Sequence, residues 1–187
     1  MTRIQRAKPI RQKDGKRHGL VHICARVEAR DPYGVLTGVY KNEYDLGTKQ
    51  FAQLVQTNIL DTAQTITNTS GTGESIAVNS ASTSPTILAG TGTTAAAVTD
   101  YALQTPTSGS SGSIAATINA YSGSGTSGNF TVTGTITNTS GSTITYSEVG
   151  IEVTVSTYTF LITHDVFTGL SVSNNGTLAV TYTITFT

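Results

Sequence analysis

This chain of 187 residues has little charge, no tryptophan and no long apolar run. Charged residues make up 12% and hydrophobic residues 37% of it, both below what globular domains usually contain. No stretch approaches the roughly 20 apolar residues that span a bilayer, and no apolar segment of signal-peptide length follows the first basic residues. We therefore expect neither membrane contact nor export by a secretory signal.

Cysteine is nearly absent too. The single Cys24 excludes a disulfide within the chain. It lies near His18 and His22, but a structural zinc site needs four ligands. We expect no metal and no other cofactor to be bound by this chain alone.

Basic residues are missing from most of the sequence. All 11 Lys and Arg lie between Arg3 and Lys49, together with five acids, whereas residues 50–187 contain six acids and no Lys or Arg. The two parts carry formal charges of +6 and −6, and such asymmetry is typical of a tail that binds a partner.

Threonine, serine and glycine are abundant: 36, 18 and 19 residues. Threonine is β-branched and favours strands. Apolar and polar residues alternate over much of the second half, most clearly from Leu178 to Phe186, and this period of two predicts strands with one buried face. Further alternation occurs at Phe130, Val132 and Ile136, and at Val149, Ile151, Val153 and Val155.

Three other local patterns indicate a helix, a turn and a seven-residue segment that occurs twice. Thr48 could cap a helix in which Phe51, Leu54, Val55 and Ile59 recur at helical spacing. Asn174-Asn175-Gly176, between two apolar runs, predicts a β-hairpin. The segments Thr65–Gly71 and Thr135–Gly141 have identical sequences. This identity could be a coincidence, or the two segments could form related hairpins.

These patterns predict an all-β fold, an antiparallel β-sandwich of jelly-roll or immunoglobulin-like type, with one short helix. The predicted division is a basic N-terminal arm and docking segment over residues 1–49, extended over 1–18 with a short strand near 20–27. A Thr/Ser/Gly-rich sandwich domain follows over residues 50–187.

Two motifs suggest chemistry, and both have simpler interpretations. Gly123–Gly128 fits G-x-G-x-x-G, but a strand rather than a helix follows, so hairpin glycines are favoured over a dinucleotide site. His164-Asp165 resembles part of a catalytic triad, yet neighbours on a strand point to opposite faces. We expect no catalytic residues here, and a structural role for His164 at a strand end.

The basic residues at the N-terminus are the candidate partner-docking site. They could neutralise phosphates of a nucleic acid or bind an acidic protein surface. Residues 1–30 contain no aromatic side chain for base stacking, which favours protein docking. The nine candidates are Arg3, Arg6, Lys8, Arg11, Lys13, Lys16, Arg17, Arg26 and Arg30.

Four segments also carry a resemblance. In order and spacing they resemble small virion structural proteins of tailed bacteriophages, a similarity that covers about residues 60–187. In that family's pattern arginine more often stands at the position of His164. The segments are Gly90–Leu103, Thr139–Ile151, Leu161–Phe167 and Gly176–Phe186.

The resemblance implies a non-enzymatic particle component that is assembled in the host cytoplasm and located in the virion. Its partners would be the major capsid protein or other virion proteins, with several copies in one particle. The first expectation is a capsid decoration (cement) protein held by its basic arm; a neck, collar or tail component is the alternative. From another class, a carbohydrate-binding or adhesin module remains open, although few aromatic residues are present to contact sugars.

Overall fold

The computed structural model describes residues 21–45, 47–59, 62–77, 85–125 and 127–186. Strands dominate these residues, together with one α-helix and a short 3-10 turn at Gly109–Ser111. In chain order the elements are β1 (Val21–Arg30), β2 (Leu36–Asp45), α1 (Lys49–Ile59), β3 (Gln64–Thr67), β4 (Gly73–Ile76), β5 (Thr86–Gly90), β6 (Ser113–Ala115), β7 (Thr117–Ile118), β8 (Ser122–Ser124), β9 (Ser127–Thr137), β10 (Ile144–Val155), β11 (Tyr158–Val172) and β12 (Thr177–Phe186).

Two antiparallel sheets pack face to face. The first has the strand order β2-β1-β12-β9-β7, with β8 also pairing β9, and the second has the order β11-β10-β5-β6. A separate hairpin, β3-β4, adds a small third sheet. The predicted all-β class and antiparallel sandwich are confirmed.

The core lies between the two sheets, and in β12 it follows the predicted alternation. In β10 the alternation does not separate a buried from an exposed face, because every residue from Tyr146 to Ile151 is buried. Leu178, Val180, Tyr182 and Ile184 of β12 are all buried, whereas the threonines between them are only half-buried. They pack in one cluster with buried side chains of the second sheet, such as Val149. Removing each large apolar side chain from water stabilises the fold by about 1.5–3 kcal/mol, so this alternation determines which face of β12 points inward.

Strand β1 corrects the predicted domain boundary. It pairs with β12 along its whole length, from Val21 opposite Phe186 to Arg30 opposite Thr177, and with β2 on its other side. Ala25 and Val27 are fully buried. Residues 21–45 therefore belong to the sandwich, and the boundary between residues 49 and 50 is wrong for them. Small apolar residues alternate with charged ones in β1, and the abundance of charge concealed this strand's buried face. The predicted extended arm, residues 1–18, lies outside the described residues.

The predicted helix is confirmed. Helix α1 begins at Lys49, directly after Thr48, whose hydroxyl oxygen accepts a 3.4 Å hydrogen bond from the N–H of Phe51. The same hydroxyl donates to the carbonyl of Leu161 in β11 at 2.6 Å. Leu54 packs into a second cluster, with side chains of β3, β4, β10 and β11. Thr48 thus both starts the helix and attaches it to the second sheet.

The turn at Asn174–Gly176 is not the predicted hairpin. Asn175 has the positive φ of 63° that the pattern requires, but β11 belongs to the second sheet and β12 to the first. The turn therefore carries the chain from one sheet to the other. A local Asn-Asn-Gly signal indicates a sharp reversal, and it does not specify whether the two flanking strands pair.

Candidate functional site

A buried carboxylate, Glu148 of β10, is the centre of a cluster of hydrogen-bonded polar groups. Its side chain is covered by the loop over residues 91–105 and is fully buried. One oxygen, Oε1, accepts the N–H groups of Gly92 at 3.0 Å and Thr105 at 2.7 Å, and the other, Oε2, accepts that of Gln104 at 2.9 Å. Three backbone donors from one loop thereby replace the water that this carboxylate loses.

His164 joins Glu148 to a second carboxylate. Its Nε2 lies 3.1 Å from Oε2 of Glu148, and its Nδ1 lies 2.7 Å from Oδ2 of Asp100. Asp100 also accepts the N–H of Ala97 at 2.8 Å. Both ring nitrogens of His164 therefore face carboxylate oxygens. The charge-assisted chain Asp100–His164–Glu148 attaches the loop to β10 and β11.

The loop approaches Glu148 so closely that glycine is required in it. A Cβ added at Gly92 would lie 2.6 Å from Oε1 of Glu148, which is well inside van der Waals contact. This close approach lets the backbone N–H of Gly92 reach the carboxylate.

Asp165 lies next to His164 in sequence but faces the other side of β11. Its Oδ1 accepts hydrogen bonds from the side-chain amide of Asn42 at 2.9 Å and the hydroxyl of Tyr40 at 3.4 Å. Its Oδ2 is buried and has no hydrogen-bond partner among the described residues. The residue is 2% exposed, so this oxygen is an acceptor held inside the protein.

A cleft of about 460 Å³ opens along the edge of β11 at this point. Ala95–Val98 of the loop form an apolar wall, and Thr48 lies at its end next to α1. Among the described residues that line it, none is Lys or Arg. The full lining is Tyr40, Asn42, Gly47, Thr48, Thr93, Ala95, Ala96, Ala97, Val98, His164, Asp165 and Val166. The cleft can therefore accept a hydrogen-bond donor or a positive charge beside a short apolar surface.

The sequence predicted one part of this site correctly and another part incorrectly. His164 and Asp165 do point to opposite faces, as their different partners show. The expected strand-end position of His164 is wrong, because it lies in the middle of β11. Glu148 and Asp100 were not predicted; the only signal for Glu148 was an acid among the apolar residues of a strand, in a region without Lys or Arg, and Glu152 on the same strand carries the same signal.

Of the nine candidate docking residues, the structure describes two. Arg26 and Arg30 both form ion pairs with Glu28 between them, and Arg30 also donates to the carbonyl of Gly34 at 3.0 Å. The hydrogen bonds from Arg26 and then Arg30 lower the pKa of Glu28 below its usual value. The other seven candidates lie outside the described residues, and docking by any of the nine stays a prediction.

The remaining sequence motifs have simple structural positions. Gly123–Gly128 belongs to the β8–β9 hairpin, in which Gly123 pairs with Gly128, so the predicted hairpin glycines are confirmed. Cys24 donates from its thiol to the carbonyl of Glu43 at 3.2 Å. Over the described ranges, no group of three or more His, Cys, Asp or Glu could hold a metal ion. His18 lies outside these ranges.

Comparison with known proteins adds no relative. No protein-family model matches the chain, and neither a curated protein nor a solved structure is significantly similar to it. Within the part of the chain that the structure describes, no helix has the length and apolar character needed to cross a lipid bilayer.

Proposed function

We propose that this chain is a non-enzymatic structural protein of a bacteriophage virion. The first form of the proposal is a capsid decoration protein that is attached through its basic N-terminal segment. A neck, collar or tail position is the second form of the same proposal. The partner is an acidic surface of the major capsid protein or of another virion protein. Several copies in one particle would turn a weak charge contact into strong attachment.

The observation that carries the proposal is the way in which the basic segment joins the fold. Residues 1–20 contain seven Lys or Arg and one acid, and they lead directly into β1, which lies between β2 and β12. Ten residues of β1 are paired with β12. A force on the segment is therefore carried by a long antiparallel ladder inside the sheet, which suits an attachment element.

The chemistry of His164 supports a role other than catalysis. A general base needs a nitrogen that can take a proton from a reacting group. Each ring nitrogen of His164 instead faces a carboxylate that fixes the loop, at 2.7 Å and 3.1 Å. This arrangement favours a histidine that stabilises the fold.

Particles purified from a culture that produces this chain test the proposal. We expect the chain to be present in many copies by mass spectrometry, and a salt wash near 1 M to release it, because exposed ionic contacts are screened. A variant with the seven basic residues of 1–20 replaced by Gln should fold but stay off the particle. A cryo-EM map distinguishes the capsid lattice from the neck or tail.

Two results would contradict the proposal. One is absence of the chain from all particle fractions. The other is incorporation of the Gln variant at the level of the unchanged chain in both low and high salt, which would show that the basic segment is not the attachment element.

One observation favours the second candidate, a carbohydrate-binding or adhesin module. Tyr33 is 91% exposed at the tip of the β1–β2 turn, and Val35 beside it is 60% exposed. An exposed aromatic ring can stack on a sugar face. Glycan-array binding that is lost in Tyr33→Ser and kept in Tyr158→Ser, a control at the β10–β11 turn, would favour this candidate.

A further inference from the structure

We propose that the cleft at Asp165 binds the side chain of a Lys or Arg from residues 1–20 of the same chain. The contact would place a positively charged N–H against Oδ2 of Asp165, the buried oxygen that has no partner among the described residues. This inference does not depend on the virion role proposed above.

The shape and charge of the cleft suit such a side chain. Ala95–Val98 offer an apolar wall along which an alkyl stem can lie, as Lys and Arg stems do on protein surfaces. Asp165 provides the acceptor, and Asn42 and Tyr40 hold its other oxygen in place. Nearby, the Asp100–His164–Glu148 chain contains two carboxylates for one imidazole, so the surroundings favour a cation.

Few cations in the chain are able to fill the cleft. Residues 50–187 contain no Lys or Arg. Arg26 and Arg30 pair with Glu28, and Lys41 pairs with Glu43 at 3.1 Å. The candidates that remain are Lys49, which is exposed and does not line the cleft, and the seven basic residues of 1–20.

The position of Val21 favours the N-terminal segment. Val21, Ile23 and Phe51 line a neighbouring groove, which shares Gly47, Thr48 and Val98 with the cleft. Val21, the residue that follows the basic segment in the sequence, therefore lies beside the cleft. An extended chain spans about 3.4 Å per residue, so Arg17 and Lys16 can lie up to roughly 14–17 Å from Val21 along the chain. Complementary charge and short reach together select this segment over a separate molecule.

Limited proteolysis of the full chain tests the contact, since trypsin cuts after Lys and Arg. We expect at least one bond after a basic residue of 1–20 to be cut roughly 5–10-fold faster in Asp165→Asn than in the unchanged chain, because the contact must open before cleavage. Salt near 0.5 M should leave most of this difference in place, because a buried ion pair is screened much less than an exposed one. Glu152→Gln is the matched control, because it removes the same charge from a strand residue that does not line the cleft. Trypsin should cleave this variant at the same rate as the unchanged chain.

A second measurement stays valid if Asp165→Asn fails to fold. Replacing the seven basic residues of 1–20 by Gln leaves the described sandwich unaltered, and it should shift the NMR signal of the Asn42 side-chain amide, which donates to Asp165. Lys49→Gln should leave that signal in place. An unmoved Asn42 signal in the seven-residue variant would overturn the proposal, as would equal cleavage rates with and without Asp165.

Two further outcomes would identify a different occupant and overturn the proposal. A shift caused by Lys49→Gln alone would assign the cleft to Lys49. Protection that grows with protein concentration, together with dimers in size-exclusion chromatography, would assign it to the segment of a second copy.

Discussion

Asn68 and Asn138 occupy the same position in the two identical segments Thr65–Gly71 and Thr135–Gly141, and they form the same local turn. In each, the side-chain oxygen accepts the N–H two residues later, at 2.9 Å for Asn68 and 3.0 Å for Asn138. Only Asn138 also donates to a distant strand end, the carbonyl of Val172, at 2.8 Å. Its backbone N–H and carbonyl bond to Gly176 and Asn175 as well, so it ties together the two turns that cross between the sheets.

The pair gives a matched comparison of a local and a tertiary role. We expect Asn138→Ala to lower the free energy of unfolding by about 2–4 kcal/mol, because a fully buried amide is lost and Val172 loses a donor. Asn68→Ala, which removes the same local turn bond at a half-buried position, should cost about 1 kcal/mol. Urea unfolding of both variants measures this; equal losses would show that the link between the two crossing turns adds nothing.

Glu148 is expected to be the most sensitive polar position in the described sandwich. Glu148→Gln keeps the shape but turns an amide N–H₂ toward backbone donors and His164, so we expect a loss of about 3–5 kcal/mol. Glu152→Gln on the same strand is the control. Burial raises the pKa of Glu152, so its charge is disfavoured in the fold and its removal should be neutral or slightly stabilising at pH 7. Similar losses in both would mean that the loop contacts of Glu148 do not matter.

The two faces of β12 should respond differently to substitution. Ile184 is buried and pairs with Ile23 and Phe130 across the sheet. Ile184→Ala should cost about 2–5 kcal/mol, whereas Thr183→Ala, on the half-buried opposite face, should stay within about 1 kcal/mol. Thermal unfolding of the two variants checks this. A large effect at Thr183 would indicate that another layer covers the outer face.

Acid should weaken the fold in part through Glu28. Its pKa lies below the usual 4.5 because Arg26 and Arg30 hydrogen-bond to it. Above pH 4.5 the group is ionised in both states and its contribution to stability is complete. As the pH falls further, the unfolded chain takes up the proton first, and the contribution is lost as the pH passes through the lowered pKa.

Urea unfolding between about pH 5 and pH 3 measures this contribution. Glu28→Gln should show a smaller decrease in stability over that range than the unchanged chain. The double variant Arg26→Gln/Arg30→Gln should show a similarly reduced decrease, because it removes the cause of the shift. An unchanged pH dependence in both variants would refute the role of these ion pairs.

Trypsin should distinguish residues 21–45 from the segment before them. Bonds after Arg26, Arg30 and Lys41 lie in β1 and β2, whose paired backbone is protected from cleavage unless the sheet opens. We expect the folded chain to yield a stable product that begins at or before His18 and extends to the C-terminus. Rapid cleavage after Arg26 would show that β1 opens independently of the sheet.

Local features of the fold were readable from the sequence because they depend on neighbouring residues. Alternation in β12 follows from the period of a strand, and Thr48 caps α1 because its hydroxyl lies one turn from the N–H of Phe51. The turn at Asn174–Gly176 formed as its residues require. These features need only the geometry of a few consecutive residues.

The tertiary structure alone decided which strands pair and which polar groups meet. The same seven residues make a hairpin after Thr65 and a crossing between sheets after Thr135, because the partner of each following strand lies far away in the sequence. Glu148 and His164 meet because their strands, β10 and β11, pair with each other. Asp100 lies 64 residues before His164 and reaches it only because the loop packs over the second sheet. Strand β1 lies in the basic part of the sequence and still became an interior strand of the sheet. Burial of Ala25 and Val27 against the core outweighs the charge between them, which remains at the surface.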